Sequence, residues 1–200
     1  MANPERSPTL AGSVWIGTRG FTVLGLAGFL PWALGTGRWL GEGGMFALCA
    51  VVFIALSGPL LHRLTPGPGS LWRFQILFTS AFVAYAAVWT WVWFKLRIHL
   101  SDYLGLALGT LAFSLVTAWR LNAWKQLPLA FAGLVVMHTA GYWVGDEIYV
   151  TLRSKAELQI ASLHLNAAQC ALIAKLGWGI LYGVGFGAGI GWLFGVSRRK

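Results

Sequence analysis

Apolar residues along the chain fall into six long runs, separated by short breaks rich in polar residues, glycine or proline. A helix needs about 20 apolar residues to cross the hydrocarbon core of a bilayer, and each run is close to that length. The pattern places spans at about 20–40, 44–61, 71–94, 103–119, 127–145 and 176–196. The expected fold is an all-α, polytopic membrane helix bundle, a single domain over 20–200. Residues 1–19 read as a cytoplasmic tail, because they lack the basic stretch, apolar core and small-residue cleavage site of a signal peptide.

Local signals punctuate the spans. Pro31 should bend the first, and Gly58–Pro59 closes the second before the breaker-rich connector 62–69. Ser70 and Ser101–Asp102 read as N-terminal caps of spans three and four. Trp89, Trp91 and Trp93 at the end of span three fit an interfacial aromatic belt.

Between spans five and six the pattern changes. Leu158, Ala161, Leu165, Ala168 and Leu172 recur at three and four residues, with Lys155, Gln159, Ser162, Asn166 and Gln169 on another side. This predicts an amphipathic helix at about 152–173, lying at the membrane surface or lining a cavity with its polar side.

The last span carries a second pattern. Gly179, Gly183, Gly187, Gly191 and Gly195 recur every fourth residue, and Gly185 and Gly189 fall on roughly the opposite side. A bare stripe of this kind lets another backbone approach closely in lipid. It predicts a central helix gripped on two sides and packed within the chain. The same stripe could dock a second copy or a partner subunit of a membrane complex.

Charge sets the expected orientation. The net charge is +9, and six spans put nine basic residues on the side of the termini, Arg198, Arg199 and Lys200 among them, against six on the other. Five of the six acids lie on that other side. The excess of Lys and Arg predicts cytoplasmic termini, in a bacterial inner membrane. It also accounts for the positive charge without nucleic acid, leaving the lipid bilayer as the expected partner.

Candidate chemistry is sparse. Cys49 and Cys170 belong to no metal or redox spacing, so no metal site is expected. His138 lies near the middle of span five, and Tyr142 and Asp146 follow at four-residue steps. The three form a polar line from mid-membrane to the boundary. Glu147 points elsewhere on the helix but completes the candidate ligand-binding set. Ionisable groups inside a membrane are expensive and usually face a bundle interior or a wet cavity. The bland alternative is a histidine that serves only as interhelical glue. His62, His99 and His164 fall in the connecting segments, and no second histidine lies within a span to pair with His138 on a haem. The cofactor is therefore left unassigned.

Three functions fit these residues. The first is binding or translocation of a small molecule, ion or lipid in a cavity lined by His138, Tyr142 and Asp146. The second is an enzyme acting on a lipid or quinone-like substrate, with His138 as acid/base. The third is an assembly subunit docking through its glycine-rich last helix.

Overall fold

The computed structural model describes residues 7–96, 100–155, 157–160 and 163–199. Arg6, Arg97, His99, Ala161, Ser162 and Lys200 lie outside the described residues. The elements, in chain order, are α1 (Leu10–Gly28), α2 (Leu30–Ala33), α3 (Gly37–Leu61), α4 (Ser70–Leu96), α5 (Ser101–Leu121), α6 (Leu127–Arg153), β1 (Glu157–Ile160), β2 (Leu163–Asn166) and α7 (Ala167–Ser197). Among the described residues, six helical segments are long and apolar enough to cross a membrane, with α1 and α2 forming one of them. The chain is an integral membrane helix bundle.

The bundle is built around α7. Its most apolar stretch is 72% buried, against 17–44% for the other five spans. Three faces of this helix meet three sets of neighbours. Along the first, the glycines at every fourth position admit α1. A Cβ on Gly183 would stand 2.7 Å from the Phe21 carbonyl oxygen, and one on Gly191 2.6 Å from the Val14 Cα. Along the second, α6 closes in just as tightly, with a Cβ on Gly185 falling 2.7 Å from the Gly141 Cα. The third face is aromatic. Phe186 packs on Tyr85 at 5.3 Å between ring centroids, and Phe194 packs on Phe74 at 5.5 Å. Small residues thus set the distance to α1 and α6, while large rings fill the gap to α4.

A side chain repairs α3 where proline interrupts it. Pro59 sits inside the helix, where a ring in place of the N–H distorts the preceding turn. The Gly58 N–H donates to Gln75 Oε1 of α4 at 3.0 Å, while Gln75 Nε2 donates to the Ile54 carbonyl at 2.7 Å. The amide of Gln75 is therefore spliced into the rung that would otherwise join Gly58 to Ile54. Near the end of α7, Arg198 donates to the Leu64 carbonyl at 3.1 Å and to Ser13 Oγ, tying that end to α1 and to the connector after α3.

The observed spans depart from the sequence reading at two places. First, α1 begins at Leu10 rather than at about residue 20, so the segment expected to be a tail is largely helix. Thr9 caps it by accepting from the Gly12 N–H at 3.1 Å, and Ser13 and Gly17 press against α7. Arg19 is the residue just before the expected start of that span. It is exposed on the outer face of α1, where a long aliphatic stem can carry its charge toward the headgroups. The expected first span also ran through to residue 40. Helix geometry instead breaks at Phe29, ahead of Pro31, and the chain turns at Gly35 with φ 73°.

Second, the amphipathic helix expected over 152–173 is absent. α6 continues to Arg153, and Glu157–Ile160 pairs antiparallel with Leu163–Asn166 before α7 begins at Ala167. The register pairs Leu158 with Leu165 and Gln159 with His164. Leu165 is buried and Leu158 half-buried, while Glu157, Gln159, His164 and Asn166 are exposed. The same residues satisfy a period of two as well as a period near 3.6, and the strand pairing prevails. Asn166 and Gln169, read as one polar stripe, form a reciprocal capping box that starts α7.

Candidate functional site

His138 projects from α6 into the centre of the bundle and is fully buried. Its ring stacks on Phe186 at 4.2 Å and 17°, and Tyr182 approaches edge-on at 5.0 Å. Tyr85 of α4 completes the enclosure at 5.8 Å. Neither ring nitrogen has a hydrogen-bond partner. A neutral imidazole carries one N–H and one lone pair, so this packing leaves both unmet, at a penalty of about 1–3 kcal/mol for each group.

The other candidate residues on α6 sit in different surroundings. Tyr142, one turn along, packs edge-on against Trp178 at 5.5 Å and approaches Tyr103 at 6.3 Å. Asp146, a further turn along, is half-buried, with Asp102 and Tyr142 within electrostatic reach. Glu147 is exposed. The three-residue line therefore passes from an aromatic core through a cavity wall to the end of the bundle. Among the described residues, no three His, Cys, Asp or Glu side chains gather as a metal would require. His164 is exposed on β2, and His62 Nδ1 lies 3.0 Å from Ser70 Oγ in the connector.

The cavity itself lies in the half of the bundle away from the termini and measures about 290 Å³. Its wall comes mainly from α3, α4 and the first part of α7, with Phe29 and Tyr142 closing the sides. Eleven of its sixteen lining residues are aromatic and none is charged. Hydroxyls of Tyr85, Tyr142, Tyr182 and Thr90 and the thiol of Cys49 are the polar groups available, with the indole N–H of the tryptophans. α3 and α4 are knit together near their connector by Gln75, and the cavity occupies their seam farther along. A shallow groove on the outside of that seam shares Ala50, Phe82, Ala86 and Thr90 with the cavity wall.

His138 is not part of the wall. Tyr85 and Tyr182 both line the cavity and both touch the imidazole. The two phenols, whose side chains pair with each other, form a partition between the cavity and the orphaned nitrogens.

The sequence pattern did not single out Tyr85 and Tyr182, and it set Trp89 and Trp93 in an interfacial belt. A signal was present: Tyr85, Trp89 and Trp93 on α4, and Trp178, Tyr182 and Phe186 on α7, each repeat at four-residue steps. Two aromatic stripes at helical spacing face one another, and the space between them is the site. No protein family, curated protein or solved structure matches the chain.

Proposed function

We propose that this protein binds an apolar amphiphile, a lipid or quinone-like molecule, that enters the α3–α4 cavity from the bilayer. The carrying observation is the wall: an uncharged, mostly aromatic pocket whose polar groups are phenols backed by the unpartnered His138. Ligand sites of this kind are predominantly apolar, with a few placed polar groups that fix orientation. At about 290 Å³ the space suits one chain or one small ring system, since such sites commonly run from about 300 Å³ upward. The wall supplies no charge to replace an ion's hydration shell, which favours an amphiphile over an ion. The groove shared at Ala50 and Ala86 offers a lateral route from lipid.

In this reading Tyr85, Tyr142 and Tyr182 orient the polar end of the ligand. Asp146 acts on Tyr142 from the boundary, and Glu147 stays outside. The glycine faces of α7 are already occupied by α1 and α6, so a partner subunit or second copy would have to dock elsewhere. The lysine and arginine bias supports cytoplasmic termini in an inner membrane of bacterial type.

Native mass spectrometry of the purified protein tests the proposal. The wild-type chain should retain a low-mass apolar adduct. Ala86→Trp, which fills the cavity from α4, should lose it while keeping the wild-type helical circular dichroism. An adduct of equal occupancy in both proteins would overturn the assignment to this cavity.

A further inference from the structure

A group of cations stands one aromatic layer beyond the cavity, on the face of the bundle opposite the termini. Lys175, near the start of α7, donates from Nζ to the Trp32 carbonyl at 3.2 Å and lies 5.3 Å from the centroid of that indole. The Trp32 ring meets the Tyr149 ring at 5.4 Å. Tyr149 in turn accepts from Arg153 Nη1 at 2.9 Å, with the guanidinium 5.5 Å from its ring centroid. Trp32 and Tyr149 therefore hold Lys175 and Arg153 on a shared aromatic platform. Both Arg153 and Arg38 act on Lys175 as like charges.

Like charges on one platform repel one another, and the repulsion is least screened beside an apolar wall. Such a group is stabilised by an anion. The donors to receive one are present: Lys175 has two N–H groups beyond the one given to Trp32, and Arg153 presents a planar fork suited to phosphate oxygens. The platform also joins the cavity directly. Trp32 packs against Phe29 at 6.2 Å and against Trp178 at 5.8 Å, and both of those rings line the cavity.

We infer that Arg153 and Lys175 bind the phosphate of an amphiphile whose single apolar tail occupies the cavity between α3 and α4. The inference rests on the cavity being the ligand site and adds the class of its ligand: a phosphate-bearing, single-tailed lipid. A tail of one chain matches the volume of about 290 Å³. The phosphate then sits at the depth where Lys and Arg reach lipid headgroups.

The test uses the full chain in a non-ionic detergent and three probes: farnesyl phosphate, farnesol and inorganic phosphate, with affinity read by calorimetry. Wild type should bind farnesyl phosphate at least tenfold more tightly than farnesol, and millimolar inorganic phosphate should not compete. The double variant Lys175→Gln, Arg153→Gln should lose that advantage while still binding farnesol as wild type does, which also shows that it is folded. Equal affinity for farnesyl phosphate and farnesol in wild type would overturn the headgroup site and leave the cavity standing. Failure of wild type to bind either probe would overturn both. Competition by inorganic phosphate at the same affinity would reassign the cations to a free anion and overturn the lipid. An unchanged tenfold preference in the double variant would overturn the assignment to these residues.

Discussion

His138 lies flat against Phe186, 4.2 Å between ring centroids and 17° between planes, with both of its nitrogens unpaired. An isolated polar ring in such a place destabilises the bundle unless something else reaches it. Replacing it with an apolar group of similar size should relieve the defect.

His138→Leu is accordingly expected to raise the stability of the ligand-free protein in detergent, by about 1 kcal/mol or more given the penalty for unmet buried groups. The check is the midpoint of thermal or denaturant unfolding. A lowered midpoint would mean that the imidazole is satisfied in the membrane protein as purified, by water or by a retained ligand.

The repair of α3 by Gln75 makes a conditional prediction. Gln75→Leu strands the Gly58 N–H and leaves the Ile54 carbonyl to Ser57 Oγ alone, and an unpaired buried backbone group costs about 1–3 kcal/mol. Pro59→Ala lets the helix restore its own rung, so the cost of Gln75→Leu should shrink in that background. A double-mutant cycle measures the coupling, and strict additivity of the two substitutions would contradict the splice.

Glycines in α7 should differ sharply in their tolerance of a methyl group. A Cβ on Gly187 would lie 2.7 Å from the Phe21 Cβ and nearer still to the Gly17 carbonyl. Gly187→Ala must therefore push α1 away, losing about 1–3 kcal/mol or more. Gly177 meets nothing closer than Ile148, at 4.0 Å. Gly177→Ala should be neutral or stabilising by up to about 1 kcal/mol. Unfolding midpoints of the two variants, measured side by side, decide the matter.

Reporter fusions examine the orientation. Green fluorescent protein after Arg199 should fluoresce, and alkaline phosphatase fused at the same point should be inactive. Phosphatase fused after Ser154 should be active. The reverse pattern would invert the positive-inside assignment.

The sequence made the number of spans legible because the apolar runs are long and their breaks carry proline, glycine or charge. It was weaker where one residue serves two patterns. Arg19 looked like a boundary, yet the faces of α1 that matter carry Ser13 and Gly17, small residues whose role depends on a helix far along the chain. Leu158 and Leu165 fit a helix stripe and a strand face equally well, and only the cross-strand pairing separated them. The polar line of His138, Tyr142 and Asp146 could be read from spacing on one helix. The partition made by Tyr85 and Tyr182 could not, because it arises between helices nearly a hundred residues apart.

The central place of α7 also has a temporal side. The ribosome makes α1 first among the six spans and α7 last, so the helix that α1 grips does not exist while the intervening spans enter the membrane. Until then the bare faces at Gly17 and Gly141 meet lipid or the insertion machinery, and the rings of α4 lack their partners on α7. Assembly of the core must therefore await synthesis of its own axis, and a chain arrested within 179–195 would hold every other span yet lack the element that joins them. Quality control that senses unpaired intramembrane faces would find such a chain readily.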